Sequence, residues 1–357
     1  MTELRAVIIG CGKSTRTAGA KEHGISHCHV QGYQATEGCR VTACADIVED
    51  YAASYAALYG LPRYYLDYRE MIAAEKPDIV SVCTWPHLHA EMVIHCAKAG
   101  VRAIHCEKPM APTFGEARRM KETCDELGVQ LTFNHQRRFE PQYRMVRELA
   151  NRGVVGKVLR IEAACGDMFD WGTHWFDMVN FYNNDVPAEW VIGQIDCRTE
   201  NKVFGVPIEN QGIASFRYAN GVYGFFVSGY GATIWAEHRI LGTDGIIEAH
   251  MPVVKVRGKG DTEMRTITFP EQKNIGAWSA ITFGIWDLVH GLRTGREPEL
   301  SARKALAGTQ LIFGAYESSR RRARVEFPLE IDDNPLHSMM ASGEIGPKRS
   351  EHANVKK

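Results

Sequence analysis

Through the first part of the chain, short apolar runs alternate with longer mixed stretches. Residues 5–9, 40–45, 78–83, 101–108 and 129–133 read as brief strands with apolar, often β-branched, side chains. That is the pattern of strands buried on both faces. Between them, residues 49–59, 68–74, 90–99 and 112–127 carry the spacing of helices, with Gly100 placed to end one of them. Strands alternating with helices predict a parallel, doubly wound sheet.

After Asn134 the pattern changes. A helix is expected over 141–150, then mostly strands: 158–163, 191–198, 211–218, 222–228, 237–242, 245–250, 253–257 and 265–269. Asn220-Gly221 and Asp244-Gly245 supply hairpin turns, so these strands should pair antiparallel. Helices are expected at 173–182, 278–294 and 301–321, with a last short strand at 324–327. From about residue 332 the chain is polar with Gly and Pro, and is expected to be mobile or draped over a neighbour. The fold class expected is α/β. A nucleotide-type parallel sheet occupies 1–133, a second α/β domain with a mostly antiparallel open sheet occupies 134–330, and a polar tail occupies 331–357.

The 357 residues carry 42 Lys+Arg against 43 Asp+Glu, so no global charge argues for nucleic acid or an anionic membrane. No basic-then-apolar leader and no membrane-length apolar run is present. The ten cysteines are scattered, with no Cys-x-x-Cys, as expected for free thiols in a reducing, cytoplasmic setting. His27-Cys28-His29 and His87/His89 lack a second cluster to complete a tetrahedral set, so no metal is expected. His29 is expected to start the first helix instead.

Gly10-Cys11-Gly12 follows the first strand directly, where glycines permit a tight turn and let backbone amides approach a pyrophosphate. Thr15 stands where a third glycine is usual, and residues 13–26 look like an inserted loop. Asp46 ends the second strand, placed to accept both hydroxyls of an adenosine ribose; it is equally placed to cap a helix. Ile47 and Val48 follow it instead of an arginine, which favours NAD over NADP, although Lys13 and Arg16 are basic. Glu107-Lys108-Pro109 closes another strand. Proline forces the chain out of the sheet and holds the Lys108 ammonium at a strand's carboxyl end, where such sheets bind ligands. In the second half, Asp170 and His174 are i, i+4 at a helix start, so a carboxylate can orient an imidazole base. A capping Asp170 with a buried, hydrogen-bonded His174 fits the same spacing.

Gly10-Cys11-Gly12, Asp46, Thr84 with His89, Glu107-Lys108-Pro109, Arg138-Phe139-Glu140-Pro141 and Asp170-x-Gly172-x-His174-x-x-Asp177 occur in one order. That order resembles the glucose–fructose oxidoreductase/inositol dehydrogenase/rhizopine-catabolism (Gfo/Idh/MocA) family over residues 5–328. The resemblance implies a Rossmann domain, and a second domain whose open sheet forms a dimer or tetramer interface. It also implies reversible oxidation of a sugar or polyol hydroxyl by NAD(P). It implies His174 as acid/base, Lys108 as the group that polarises the hydroxyl, and Asp170 as the group that orients His174 or holds a neighbouring hydroxyl. On the cofactor side it implies Gly10, Gly12, Lys13, Asp46, Thr84, Trp85, His89, Glu107 and Lys108, with Glu107 near the nicotinamide ribose. Trp171, Trp85, His135 and Arg138 are implied pocket walls, beside Lys108, Asp170 and His174, with a structural role as the alternative for Arg138. Thr84-Trp85-Pro86 departs from the family's Thr-Pro-Asn, so the nicotinamide-side loop should be shaped differently. Two other readings stay open on the same fold: a redox-neutral enzyme using tightly held NAD to cleave or epimerise a glycoside, and a non-catalytic sugar or NADH sensor.

Overall fold

The computed structural model describes residues 3–13, 24–250, 252–270 and 279–347. Most of the inserted loop (14–23, with Thr15 and Arg16), Trp278 and residues 348–357 lie outside the described residues. In chain order the elements begin β1 Leu4–Ile9, α1 Ser26–Gln34, β2 Cys39–Ala45, α2 Glu49–Tyr59, β3 Arg63–Tyr65, α3 Tyr68–Glu75, β4 Ile79–Val82 and α4 Pro86–Lys98. They continue with β5 Ala103–Cys106, α5 Phe114–Glu126, β6 Gln130–Phe133, a 3-10 turn Gln136–Phe139, α6 Pro141–Asn151, β7 Val158–Cys165 and α7 Trp171–Tyr182. Then come β8 Ala188–Asp196, β9 Lys202–Val203, β10 Val206–Pro207, β11 Gln211–Tyr218, β12 Tyr223–Gly229, β13 His238–Gly242 and β14 Ile246–His250. The last are β15 Val253–Arg257, β16 Arg265–Thr268, α8 Ala280–Thr294, α9 Ala302–Arg321, β17 Val325–Glu326 and α10 Pro335–Ser342.

Two compact units are present: 1–145 with 268–307, and 146–267 with 308–357. In the first, six strands pair in the order β3-β2-β1-β4-β5-β6, every pairing parallel. Strand order reverses at β1, so the turns after β1 and β4 open at the sheet's topological switch point, where ligands bind. Alternate residues of β1 feed opposite cores, Ala6 and Ile8 into one and Val7 and Ile9 into the other. One departure from expectation is α8, which the strand-rich stretch around it placed with residues 134–330. Ile281, Ile285, Leu288 and Val289 instead complete the first unit's core against Val30 and Tyr33 of α1. Gly32 allows the close approach: a Cβ there would lie 2.5 Å from Ile285 Cδ1.

The second unit holds a nine-stranded sheet in the order β16-β15-β14-β13-β7-β12-β11-β8-β17. From β15 to β17 its neighbours run antiparallel except β12 with β7, which are parallel. The Asn220-Gly221 and Asp244-Gly245 turns join β11 to β12 and β13 to β14 as their residues predict, with Gly221 at φ +85°. One face packs on helices. Phe176 of α7 stacks on Phe226 at 4.0 Å, and Gly193 lets the backbone of Ala315 on α9 approach. Residues 331–347 also depart from expectation. Asn334 caps α10, Leu336 and Met339 are buried, and His337 Nε2 lies 3.0 Å from the Pro207 carbonyl. Apolar residues at helical spacing dock this part of the tail on its own unit. No helix of the described residues is long and apolar enough to cross a membrane.

Candidate functional site

In the first unit, Gly10 and Gly12 take left-handed conformations at φ +88° and +62°. A Cβ on Gly10 would sit 2.7 Å from the Cys83 carbonyl oxygen, so only glycine lets this turn pass the end of β4. Asp46 faces the turn. Its Oδ2 accepts from the amides of Cys11 (2.9 Å) and Gly12 (3.2 Å), and its Oδ1 accepts from Val48 N–H (2.9 Å). The carboxylate thus shapes the glycine turn and the entrance to α2 together, and no basic side chain follows it; Ile47 is 90 % exposed. A carboxylate acceptor with no basic residue directly after it suits an unphosphorylated ribose diol. Lys13 stands at the end of the turn, its Nζ 5.8 Å from the Tyr51 ring.

Glu107 and Lys108 leave β5 into a cis Lys108–Pro109 bond. Glu107 is buried, and its Oε1 lies 2.9 Å from His29 Nε2 and accepts from the Asn134 amide at 2.6 Å. Its Oε2 accepts from Lys108 N–H at 3.3 Å. His29 Nδ1 lies 3.1 Å from Ser81 Oγ, which is 2.9 Å from Tyr33 OH, so the network ties α1, β4, β5 and the end of β6 together. Burial opposes charge on Glu107, but the hydrogen bond and charge of His29, the Asn134 amide and the Lys108 cation outweigh it and bring the carboxyl to about 2. His105, its ring 4.9 Å from His29, is pushed down to about 3, first by burial and then by His29.

His89 is fully buried. Its Nε2 lies 3.0 Å from the Thr84 carbonyl, and its Nδ1 lies 3.0 and 3.2 Å from those of Pro109 and Met110. Burial holds this histidine below its usual range. Its ring pins the turns after β4 and β5 from behind, so any effect on a cofactor passes through those turns. Trp85 is 53 % exposed at the start of α4. His135 is buried, and Arg138 is fully buried with its guanidinium 2.9 Å from Glu299 of the same unit.

In the second unit, Asp170 occupies the N-cap position of α7 but makes no capping hydrogen bond. Asp167 accepts from Asp170 N–H instead, at 2.5 Å. Gly172 N–H donates to the Asp167 carbonyl at 2.8 Å, and a Cβ on Gly172 would lie 2.7 Å from that oxygen. The glycine of the Asp-x-Gly-x-His stretch is therefore required by a tight entrance to the helix. Trp171 is half exposed and meets Trp175 edge-on at 5.9 Å; His174 is buried one turn into the helix. Sequence reasoning missed Asp167, Glu209, His29 as the partner of Glu107, and Asn134. A second carboxylate three residues before Asp170 was the available signal for the first, whereas nothing local marks Glu209. Among the described residues no group of three or more His, Cys, Asp or Glu is arranged to hold a metal.

The model of an oxidoreductase family with an NAD-binding Rossmann fold matches residues 4–135. The chain is 23 % identical to a D-apiose dehydrogenase of Paraburkholderia graminis, over 96 % of this chain and 94 % of the relative. It is also 23 % identical to a myo-inositol 2-dehydrogenase of Thermotoga maritima, over 90 % and 98 %. A levoglucosan dehydrogenase solved with NADH and levoglucosan superposes with a TM-score of 0.77 at 19 % identity, covering 91 % of this chain and all of that one. Residues 4–135 thus match the NAD-binding Rossmann domain of the Gfo/Idh/MocA oxidoreductases, and over nearly its whole length the chain is similar to the two sugar and polyol dehydrogenases above.

Proposed function

We propose that this protein is a cytoplasmic, NAD-dependent dehydrogenase of a cyclic sugar or polyol. The observation that carries the reading is the set of strand ends in the first unit: the Gly10–Gly12 turn whose amides Asp46 holds, with Glu107 and Lys108 leaving β5 at the cis Pro109 bond. The names of the full-length relatives, acting on apiose and inositol, support a polyhydroxy substrate. Gly10, Gly12 and Asp46 would hold NAD, and Thr84, Trp85, Glu107 and Lys108 would line its nicotinamide side. NAD, when bound there, would supply the acceptor for the hydride of the substrate carbon. The Lys108 ammonium stabilises the developing alkoxide, and His174 removes the hydroxyl proton as the carbonyl forms. Asp170 orients the imidazole or holds the adjacent hydroxyl.

The test is NADH absorbance with NAD and a panel of cyclic polyols and aldoses. Lys108→Ala and His174→Ala are each expected to lose about 100-fold or more in kcat with NAD affinity kept. Tight NAD binding without NADH accumulation on any of them would favour the redox-neutral reading, and failure to bind NAD would overturn both.

A further inference from the structure

Glu209, just before β11, is fully buried, and three groups converge on its carboxylate. Met168 N–H (2.6 Å) and Ser228 Oγ (2.7 Å) donate to Oε1, and Tyr316 OH of α9 donates to Oε2 at 2.6 Å. Asp167, one residue before Met168, is 5 % exposed. The Cys165 thiol donates to the Asp167 carbonyl at 3.0 Å, and that carbonyl also receives Gly172 N–H. Five consecutive residues, 166–170, therefore hang on two buried carboxylates from β7, β12, α9 and the start of β11. Burying two carboxylates that act on one loop is costly unless they do something a neutral pair cannot.

We propose that Asp167, braced by Glu209, is a positioning residue: its ionised carboxylate closes the first turn of α7 and so sets where Asp170 and His174 stand. This rests on the assignment of Asp170 and His174 to catalysis. The ionised form fits the task, because a carboxylate at a helix amino end accepts charge-assisted bonds and meets the positive end of the dipole. The groups facing it are Asp170 on its own loop, Glu209, Cys165 of β7 and Tyr316 of α9. Burial first, then the charges of Glu209 and Asp170, raise the Asp167 carboxyl to about 6, against the amides of Asp170 and Trp171. Its ionisation thus falls inside the working range of a dehydrogenase.

The experiment measures kcat and KM for the substrate found by the NADH assay, across pH, for wild type, Asp167→Asn, Asp167→Ala, Tyr316→Phe and His174→Ala. Asp167→Asn keeps a neutral oxygen acceptor. It should equal wild type at about pH 5 and fall to about one tenth of it at about pH 8, with NAD affinity unchanged. Asp167→Ala should be lower at both. Tyr316→Phe, which removes a donor from Glu209, should shift the acid limb of the wild-type profile upward. Folding is not expected to confound this. A carboxyl raised in the native state makes its ionised form unfavourable to stability, so the asparagine variant should unfold no more readily than wild type above about pH 6. A wild-type-to-asparagine ratio that stays flat with pH, or an alanine variant as fast as wild type, overturns the proposal. If His174→Ala is itself unimpaired, the fault lies with the catalytic assignment instead.

Discussion

Glu107 shows how much one buried side chain can hold. Its carboxylate joins His29, Asn134 and the Lys108 amide, and its carboxyl sits at about 2 instead of the usual 4.5. A depressed acid contributes stability that is complete above 4.5 and is lost as pH falls through the window down to about 2. Glu107→Gln leaves His29 without its anion, and removing one partner of a buried pair is expected to cost about 3 kcal/mol. Urea denaturation at neutral pH checks the loss. A double-mutant cycle with His29→Ala should show coupling of about 1–3 kcal/mol, whereas additivity would mean the pair is a bystander. The sequence marked Glu107 by its place beside Lys108 and Pro109. It could not mark His29, 78 residues away, as its partner, because only the packing of α1 over β4 and β5 brings them together.

Among elements, α8 and α7 teach different lessons. Apolar periodicity identified both as helices, yet said nothing about which core each serves. α8 follows a run of strands in the chain and nevertheless closes the first unit, where Ile285 packs among Ile281, Leu288, Val30 and Tyr33. Ile285→Ala is expected to cost about 2–5 kcal/mol and to lower NAD affinity as the first unit loosens. Calorimetry with and without NAD separates that outcome from a change confined to the second unit. For α7 the motif Asp170-x-Gly172-x-His174 was legible in one dimension. Its cap was not, since Asp167 does the work that position predicted for Asp170.

At the scale of the whole molecule, the nine-stranded sheet covers one face with α7 and α9 and turns alternate residues outward on the other. Ile192 and Ile213 are about half exposed on that outward face, beside Tyr223 and the partly covered Phe225 and Val227. We propose this apolar sheet face as the interface of the homodimer or homotetramer that the family resemblance implies. Ile213→Lys is expected to shift the species seen by light scattering toward monomer. An unchanged mass would place assembly, if any, elsewhere.

The sequence alone determined the order of elements, the parallel and antiparallel halves, the hairpin turns and the positions of Gly10, Asp46, Lys108, Asp170 and His174. These depend on short-range rules: side-chain period, turn chemistry and the backbone limits of glycine and proline. The tertiary structure alone decided that α8 serves the first core, that part of the polar tail docks as α10, that Arg138 is buried against Glu299, and that Glu107 and Asp167 are held by distant partners. Each of those outcomes depends on burial and on which groups meet across the fold. A carboxylate's charge and a helix's neighbour are settled by what surrounds them in space, and adjacency along the chain carries no record of it.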